Sequence, residues 1–492
     1  MINSIIVLGG GSAGLITALT LKRRLPGLAI RVIRSPEIGI IGVGEGTTGD
    51  FRQHFFQYLG LKPRQFYLEA APTWKLGIRF IWGPLPAFFY TFGHEYDHRY
   101  PDLSRNTGFF HGPDTTWLGR ISAHMAHDKV FPRRPDNLPD MNVPHGFHVE
   151  NVKLVGWLEN TCRILGVAIT EGTMRDVERK GTTITALKLE DGERVTADLF
   201  VDATGFRSEL LSRTFEEPYV SYADSLFCDR AVIAGWARTD EVVHPYTTAE
   251  TMKAGWSWQI EHEHWINRGY VYSSRFISDD EARQEFLSHN LKVSTEPRLV
   301  KFRSGRYARA WVGNVIAIGN AAGFVEPLEA TALQVICVQA RGVADALTDG
   351  ELRPTATAIA IYNELNGNAW DDIRDFLAVH YAFNTRLNTP FWQACRSETN
   401  LGGAQRVVEY YQDNGPSVLG APVLLRPTNS FGMEGYLAIL CGQQLPHGRP
   451  HQPLPAETDS WKKRNKALVL DAQRAFSVQA ALQTLRSPAW KW

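Results

Sequence analysis

The sequence predicts an α/β fold: a doubly wound, largely parallel sheet followed by a mostly helical C-terminal part. Three observations carry this. The β-rich apolar run 5–8 is followed at once by glycines, then by residues at helical spacing, then by a second apolar run. Two further short apolar runs, 199–201 and 315–318, also end on glycine-containing turns. Beyond about residue 350 the apolar spacing is mostly helical until about Asn400.

The elements follow in order. Ile5-Ile6-Val7-Leu8 reads as a buried strand, and Arg31-Val32-Ile33 as its neighbour. Between them, Leu15, Ala18, Leu19 and Lys22 fall at helical spacing. Gly9-Gly10-Gly11-Ser12-Ala13-Gly14 fits Gly-x-Gly-x-x-Gly in the strand-to-helix turn. Glycines are needed there because the backbone turns tightly and a pyrophosphate must approach main-chain N–H groups; the helix N-terminus adds partial positive charge. Gly9, Gly11, Ser12, Ala13 and Gly14 are therefore candidate dinucleotide contacts. An acid usually ends the second strand and binds ribose hydroxyls. Here Arg34 stands at that end and Glu37 follows three residues later. Glu37 is the candidate ribose ligand, and an Arg34 contact to a 2′-phosphate, hence NADP, is the alternative.

Gly42-Val43-Gly44-Glu45-Gly46-Thr47-Thr48 is a glycine-rich strap that could cover a cofactor, with Gly44 and Glu45 as contacts; an ordinary flexible loop is the plainer reading. Segment 87–148, rich in Pro, His, Asp and aromatics, predicts long loops and short helices rather than sheet. The runs 184–189 and 195–201, joined by Glu190-Asp191-Gly192-Glu193, predict a β-hairpin. Asp202-Ala203-Thr204-Gly205 and Gly319-Asn320-Ala321-Ala322-Gly323 close the strands 199–201 and 315–318. Three such turns, about 190 and 120 residues apart, point to FAD rather than NAD. Asp202, Gly205, Gly319, Asn320 and Gly323 join the cofactor contacts. Glycine and proline clusters follow residue 400, then a charged tail helix over about 462–474.

Composition narrows the class. The 492 residues are 44% apolar, so wholesale disorder is excluded. Lys plus Arg and Asp plus Glu both number 52, which leaves no basic field for nucleic acid or anionic membrane. Five dispersed cysteines argue against both a disulfide scaffold and a zinc site, and no metal is expected. No basic n-region opens the chain, and no run of 18 apolar residues occurs. A reduced, cytoplasmic protein is the expectation.

Taken together, these residues resemble the flavin-dependent halogenases of the tryptophan halogenase family. The markers are the N-terminal glycine motif, the 42–48 strap, Pro72-Thr73-Trp74-Lys75-Leu76-Gly77-Ile78, and DATGFRS at 202–208. WSWQIE at 256–261, GNAAGFVEPLEAT at 319–331, and His380-Tyr381 with Asn388-Thr389-Pro390-Phe391-Trp392 complete the set. The resemblance implies a flavin-monooxygenase-type sheet with a β-sheet substrate layer. It implies that FADH2, oxygen and halide (chloride or bromide) yield hypohalous acid, which passes through an internal tunnel to a lysine. Lys75 matches that lysine and Glu329 the family's catalytic glutamate. Thr331 and Ala332, at a helix start after Pro327, match the halide site, where free backbone N–H groups can hold an anion. The family usually has Ser-Thr-Gly after the glutamate, whereas this chain has Ala330-Thr331-Ala332, which puts coupling between sites in question. Trp256 and Trp258 match the indoles that keep substrate from the flavin; the family pattern then ends in Pro, where this chain has Glu261. Tyr90 and Phe92 match residues that sandwich indole, with plain core packing as the alternative.

The expected organisation is a 1–350 FAD and halide module, with a substrate-site insertion at about 51–150, and a helical 351–492 part completing the substrate pocket. A separate NAD(P)H-dependent flavin reductase is expected to supply FADH2, because no second nucleotide fingerprint occurs. The substrate is expected to be a small electron-rich aromatic such as indole or tryptophan, with an open pocket favouring bromide. A homodimer is left open. The alternatives are an FAD-dependent aromatic hydroxylase, which gives Lys75 no role, and a flavin-binding protein with decayed machinery.

Overall fold

The computed structural model describes residues 1–39, 44–93, 103–105, 107–112, 114–488 and 490–492. Gly42 and Val43 of the strap lie outside the described residues. The chain forms two compact units, each drawn from three separated stretches.

The first unit comprises Met1–Ala71, Val149–Tyr222 and Phe302–Asp371. Its six-stranded sheet has the order Trp311–Val312, Val315–Ala317, Leu199–Asp202, Ser4–Leu8, Ala29–Arg34, Ala168–Glu171. Neighbours run parallel except in the outer hairpin, where Trp311 opposes Ile316. Side chains alternate along a strand, so Ile6 and Leu8 share one face. With Ile33, Phe200 and Val315 they pack on Ile184, Leu187, Leu189 and Val195 of a three-stranded antiparallel sheet. The helix Ser12–Arg24 packs against Asn151–Ile164 and Ala332–Asp349. Because both sheet faces are covered, the strands read as continuous apolar runs.

The expected hairpin is present, with Leu187 opposite Val195, but the 195–201 run is divided. Arg194–Val195 closes the hairpin, and Leu199–Asp202 joins the central sheet. Asp198 marks the break: its carboxylate accepts the Asn3 and Ser4 N–H groups at 2.8 and 2.9 Å, locking the incoming chain beside the first strand.

The second unit comprises Pro72–His148, Ala223–Lys301 and Asp372–Trp492. Its seven-stranded sheet has the order Arg298–Lys301, Arg230–Ala237, Trp265–Tyr272, Gly255–Glu261, Tyr246–Met252, Gly77–Ile81, Phe88–Thr91. Only Tyr246–Met252 and Gly77–Ile81 pair in parallel. The helix Asp279–His289, opened by a Ser278–Glu281 capping box, covers one face through Ala282 and Phe286 against Val232, Ala234 and Tyr270.

Two expectations are corrected here. Segment 87–148 is not free of sheet: Phe88–Thr91 is an edge strand, and Gly146–Val149 pairs with Thr73–Lys75. Its aromatics suit a pleated surface, and Gly77 lets the strands close, since a Cβ there would lie 2.1 Å from the Tyr90 carbonyl oxygen. The glycine- and proline-rich stretch after residue 400 also carries helix, in Gln405–Asn414 and Gly432–Gly442, while the expected tail helix is present as Pro455–Arg474 and is followed by Val478–Arg486.

Candidate active site

In the first unit the glycine turns meet at the C-terminal ends of adjacent parallel strands. Gly9 has φ +120°, and a Cβ there would lie 2.3 Å from the Ala203 carbonyl oxygen. Gly14 is equally confined, at 1.9 Å from the Gly9 oxygen. Gly319, at φ +62°, faces Ala13 and Ile336. Gly11 differs, because nothing lies within 4 Å of its would-be Cβ. It is the N-cap of the helix Ser12–Arg24, whose first turn has no acidic residue and no side-chain cap. Uncapped N–H groups beside open space fit a pyrophosphate, so these residues suit FAD.

The other cofactor candidates divide. Arg34 is bound by Glu159 at 2.7 Å and Glu171 at 3.3 Å. Its charge is already answered, which weakens the 2′-phosphate reading. Glu37 is exposed. Asp202 is fully buried, and its carboxylate accepts Thr204, Leu210 and Leu211 N–H groups at 3.1, 2.8 and 2.9 Å. It builds the turn that carries Gly205, rather than presenting free oxygens. Gly44 and Glu45 lie at the start of Glu45–Gly46; Asn151 Nδ2 donates to Glu45 Oε1 at 3.4 Å, and burial pushes the Glu45 carboxyl up to about 7.

The helix Ala332–Asp349 organises this unit's site in a way the sequence reading missed. Gln339 Oε1 accepts the Gly319 N–H at 2.7 Å, holding the third turn with Asn320 and Gly323. Gln334 Oε1 accepts from Thr48 Oγ1 at 2.8 Å, holding the end of the strap. Polar residues at these positions of a buried helix were the available signal. Thr331 caps the helix without a side-chain hydrogen bond, so the backbone N–H groups from Ala332 onward keep their anion-binding character. Pro327 does not open this helix, contrary to expectation. Pro327–Glu329 is a separate 3-10 turn, and Ala330 at φ +56° turns the chain before the helix begins. Glu329 is buried in that turn.

In the second unit Lys75 is buried on the strand Thr73–Lys75. Lys75 opposes Gly146, and Thr73 opposes His148. A buried ammonium is costly unless compensated. Part of the compensation is visible: the Lys75 Nζ stands 5.3 Å from the Phe92 ring centroid. Phe92, half-buried, meets Tyr90 edge-on at 6.5 Å. Tyr90 is buried and lies 5.8 Å from Phe376, so core packing holds it. His148, which sequence reasoning passed over, shares the lysine's face of the strand pair. Its Nε2 pairs with Thr247 Oγ1 at 2.8 Å. Burial first, and the Lys75 charge second, hold its imidazole well below the ordinary histidine value. A histidine alternating with apolar neighbours in Gly146-Phe147-His148-Val149 was its sequence signal.

Trp256 and Trp258 project from one face of Gly255–Glu261, with ring centroids 6.0 Å apart. Both indole N–H groups are buried without a hydrogen-bond partner among the described residues. Opposite Trp258, Gly269 leaves room, since a Cβ would lie 2.0 Å from the indole. Glu261 ends this strand as a buried ion pair with Arg238 at 2.5 Å. Its backbone oxygen accepts from Thr73 Oγ1 at 2.5 Å, two residues before the lysine. The departure from proline is thus matched by a counter-charge.

An FAD-fitted α/β unit together with a second unit carrying a buried lysine among aromatics defines a flavin-dependent enzyme class. The tryptophan halogenase family matches residues 4–459. Tryptophan 7-halogenase RebH of Lentzea aerocolonigenes is 32% identical over 443 residues, 84% of this chain and 82% of that protein. MibH, a lathipeptide tryptophan 5-halogenase, superposes with a TM-score of 0.88 at 33% identity, covering 98% of this chain and 93% of that one. BrvH, a flavin-dependent halogenase from Brevundimonas sp. BAL3, gives 0.85 at 27%, covering 99% and 100%. The chain belongs to the tryptophan halogenase family and is a flavin-dependent halogenase. It uses FAD as FADH2, takes halide as substrate, depends on a separate flavin reductase, and acts on a small aromatic. The hydroxylase alternative is set aside.

Proposed function

We propose that the chain halogenates an indole-type ring, free indole or tryptophan, and that Lys75 positions the halogenating agent. Bound FADH2, with oxygen and halide, supplies hypohalous acid. The Lys75 ammonium hydrogen-bonds the hypohalous oxygen and makes it a better leaving group. A ring carbon takes the halogen, forming a carbon–halogen bond as the halogen–oxygen bond breaks. Glu329 accepts the ring proton, and the departing hydroxide takes a proton from the Lys75 ammonium and leaves as water, so the ring loses one proton and the oxygen gains one. Thr331 and Ala332 hold the halide through backbone N–H groups. Gly9, Gly11, Ser12, Ala13, Gly14, Gly44, Glu45, Gly205, Gly319, Asn320 and Gly323 hold FAD. Phe92 holds the Lys75 ammonium beside the aromatic substrate, with Tyr90 packed behind it, while Trp256 and Trp258 guard the oxidant.

The observation that carries this reading is the fully buried Lys75 amine over the Phe92 ring. The functional division follows 1–350 for flavin and halide, with its insertion at about 51–150, and 351–492 for completing the substrate pocket. Among the described residues no helix is long and apolar enough to cross a membrane. All five cysteines are buried thiols outside any disulfide, which supports a reducing, cytoplasmic setting.

The test supplies a flavin reductase, NADH, FAD, oxygen, chloride or bromide, and a panel of indoles, read by mass spectrometry. One halogen added to indole or tryptophan is expected. An added oxygen atom, or no product with any ring of the panel, overturns the reading.

A further inference from the structure

His111, His451 and Glu457, all in the second unit, take no part in the chemistry above. One ligand atom from each lies within 4.8 Å of the others. The two rings meet edge-on with centroids 5.0 Å apart, and His451 Nε2 lies 3.6 Å from a Glu457 carboxylate oxygen. His111 Nδ1 and His451 Nε2 are buried with no hydrogen-bond partner among the described residues. A histidine pair serving only as structure would spend those nitrogens on donors or acceptors.

The carboxylate is oriented in advance. Glu457 accepts the Ser104 N–H at 2.6 Å and the Leu454 N–H at 2.7 Å. These two bonds fix the direction in which its oxygens face the imidazoles. Phe110 against His451 and Trp461 against His111, at 6.1 and 5.4 Å, form an apolar wall.

We propose that His111, His451 and Glu457 form a zinc site that ties the turn Gly108–Phe110 to the start of the helix Pro455–Arg474, with water as the fourth ligand. Two neutral imidazoles and one carboxylate match zinc. Calcium and magnesium call for oxygen donors throughout, and copper(I) or an iron–sulfur cluster calls for sulfur. Donors around a tetrahedral zinc lie about 3.3 Å apart for bonds of about 2.0 Å. Closing the present spacing takes side-chain shifts of about 1 Å.

The test uses the full chain, stripped with chelator and then dialysed against Zn2+. About one zinc per chain by elemental mass spectrometry is expected, with a Tm raised by several degrees and lowered again by chelator. His451→Ala and Glu457→Gln should retain no stoichiometric zinc, and their Tm should not respond to it. His264→Ala, at a side chain 82% exposed, should behave like the parent. If His451→Ala yields no folded chain, His111→Gln is judged on the same two readouts. Substoichiometric zinc in the parent chain, or equal zinc uptake by the variants, overturns the proposal.

Discussion

The Lys75 ammonium stands over the ring of Phe92, 5.3 Å from its centroid. The sheet register brings them together: Gly77 opposes Thr91, and the Phe92 N–H donates to the Leu76 carbonyl at 2.9 Å. Phe92 thus lies opposite Leu76, next to Lys75 at the end of the strand Thr73–Lys75. A cation fixed on a π face away from water keeps one orientation, as a positioned hydrogen-bond donor requires.

Removing the ammonium should abolish halogenation without unfolding the chain. Lys75→Met keeps most of the side-chain volume and deletes the charge. We expect halide incorporation to fall by about two to three orders of magnitude, as when a preorganised donor is lost. NADH consumption by the reductase should be unaffected, and far-UV circular dichroism should show a folded chain. Halogenated product at the parental rate would remove Lys75 from the mechanism.

Phe92 acts by holding the lysine. Phe92→Leu retains apolar bulk but loses the ring face, worth about 1 kcal/mol, or roughly fivefold in rate. The loss should appear in kcat/KM, and it should vanish when the same change is made in a Lys75→Met background. Full independence of the two substitutions would show that the ring serves another purpose.

Glu261 tests the departure from the family's proline. Glu261→Gln leaves the buried Arg238 guanidinium without its counter-ion, which should cost about 3 kcal/mol in urea unfolding. Arg238 keeps its bonds to the His262 and Val242 carbonyls at 3.0 and 2.8 Å, so the chain should still fold. Arg238→Met combined with Glu261→Gln should recover part of the loss. An unchanged unfolding midpoint for the single variant would mean that the pair is energetically idle.

The flavin turn was readable in sequence, but the roles of its glycines were not, because spacing does not report what each Cβ would meet. Gly14→Ala drives a methyl to 1.9 Å from the Gly9 carbonyl oxygen and should destabilise the fold by several kcal/mol. Gly11→Ala meets nothing within 4 Å, so its Tm should stay close to the parent's while flavin affinity falls at least tenfold. Calorimetry and FAD titration separate the two outcomes. Strong flavin binding by Gly11→Ala would move the pyrophosphate elsewhere.

Other features were legible to different depths. The strand–turn–helix opening and the Thr331 helix start show in sequence because glycines and apolar periodicity act locally. Lys75 and Glu329 were found through motif resemblance; nothing local distinguishes Lys75 from a surface lysine. His148, Arg238, Gln334 and Gln339 escaped notice because their importance arises only from long-range pairing. Arg238 meets Glu261 across 23 residues, Gln334 meets Thr48 across 286, and Gln339 meets Gly319 across 20. Asp202 fits the nucleotide-turn pattern by position, yet its oxygens serve the turn's own N–H groups, a distinction visible only in three dimensions.

The buried histidines set an acid limit on stability. His54 is fully buried, its Nε2 2.9 Å from Thr20 Oγ1, and burial, then the Arg341 charge, hold its imidazole at about 3. His148 is likewise held well below its ordinary value. Both stay neutral when folded and take up a proton near pH 6.5 when unfolded. Stability from these two is fully present above about 6.5 and is lost as pH falls towards the folded values, at up to about 1.4 kcal/mol per pH unit for each. Glu45, pushed up to about 7 by burial, acts the other way, because between about 4.5 and 7 the folded state holds the extra proton. Two histidines against one carboxyl leave a net loss on acidification. Urea unfolding between pH 7.5 and 5.0 should show stability falling with pH. His54→Gln should flatten that slope, and Glu45→Gln should steepen it. Equal slopes in parent and His54→Gln would mean that the imidazole is not held neutral in the folded chain.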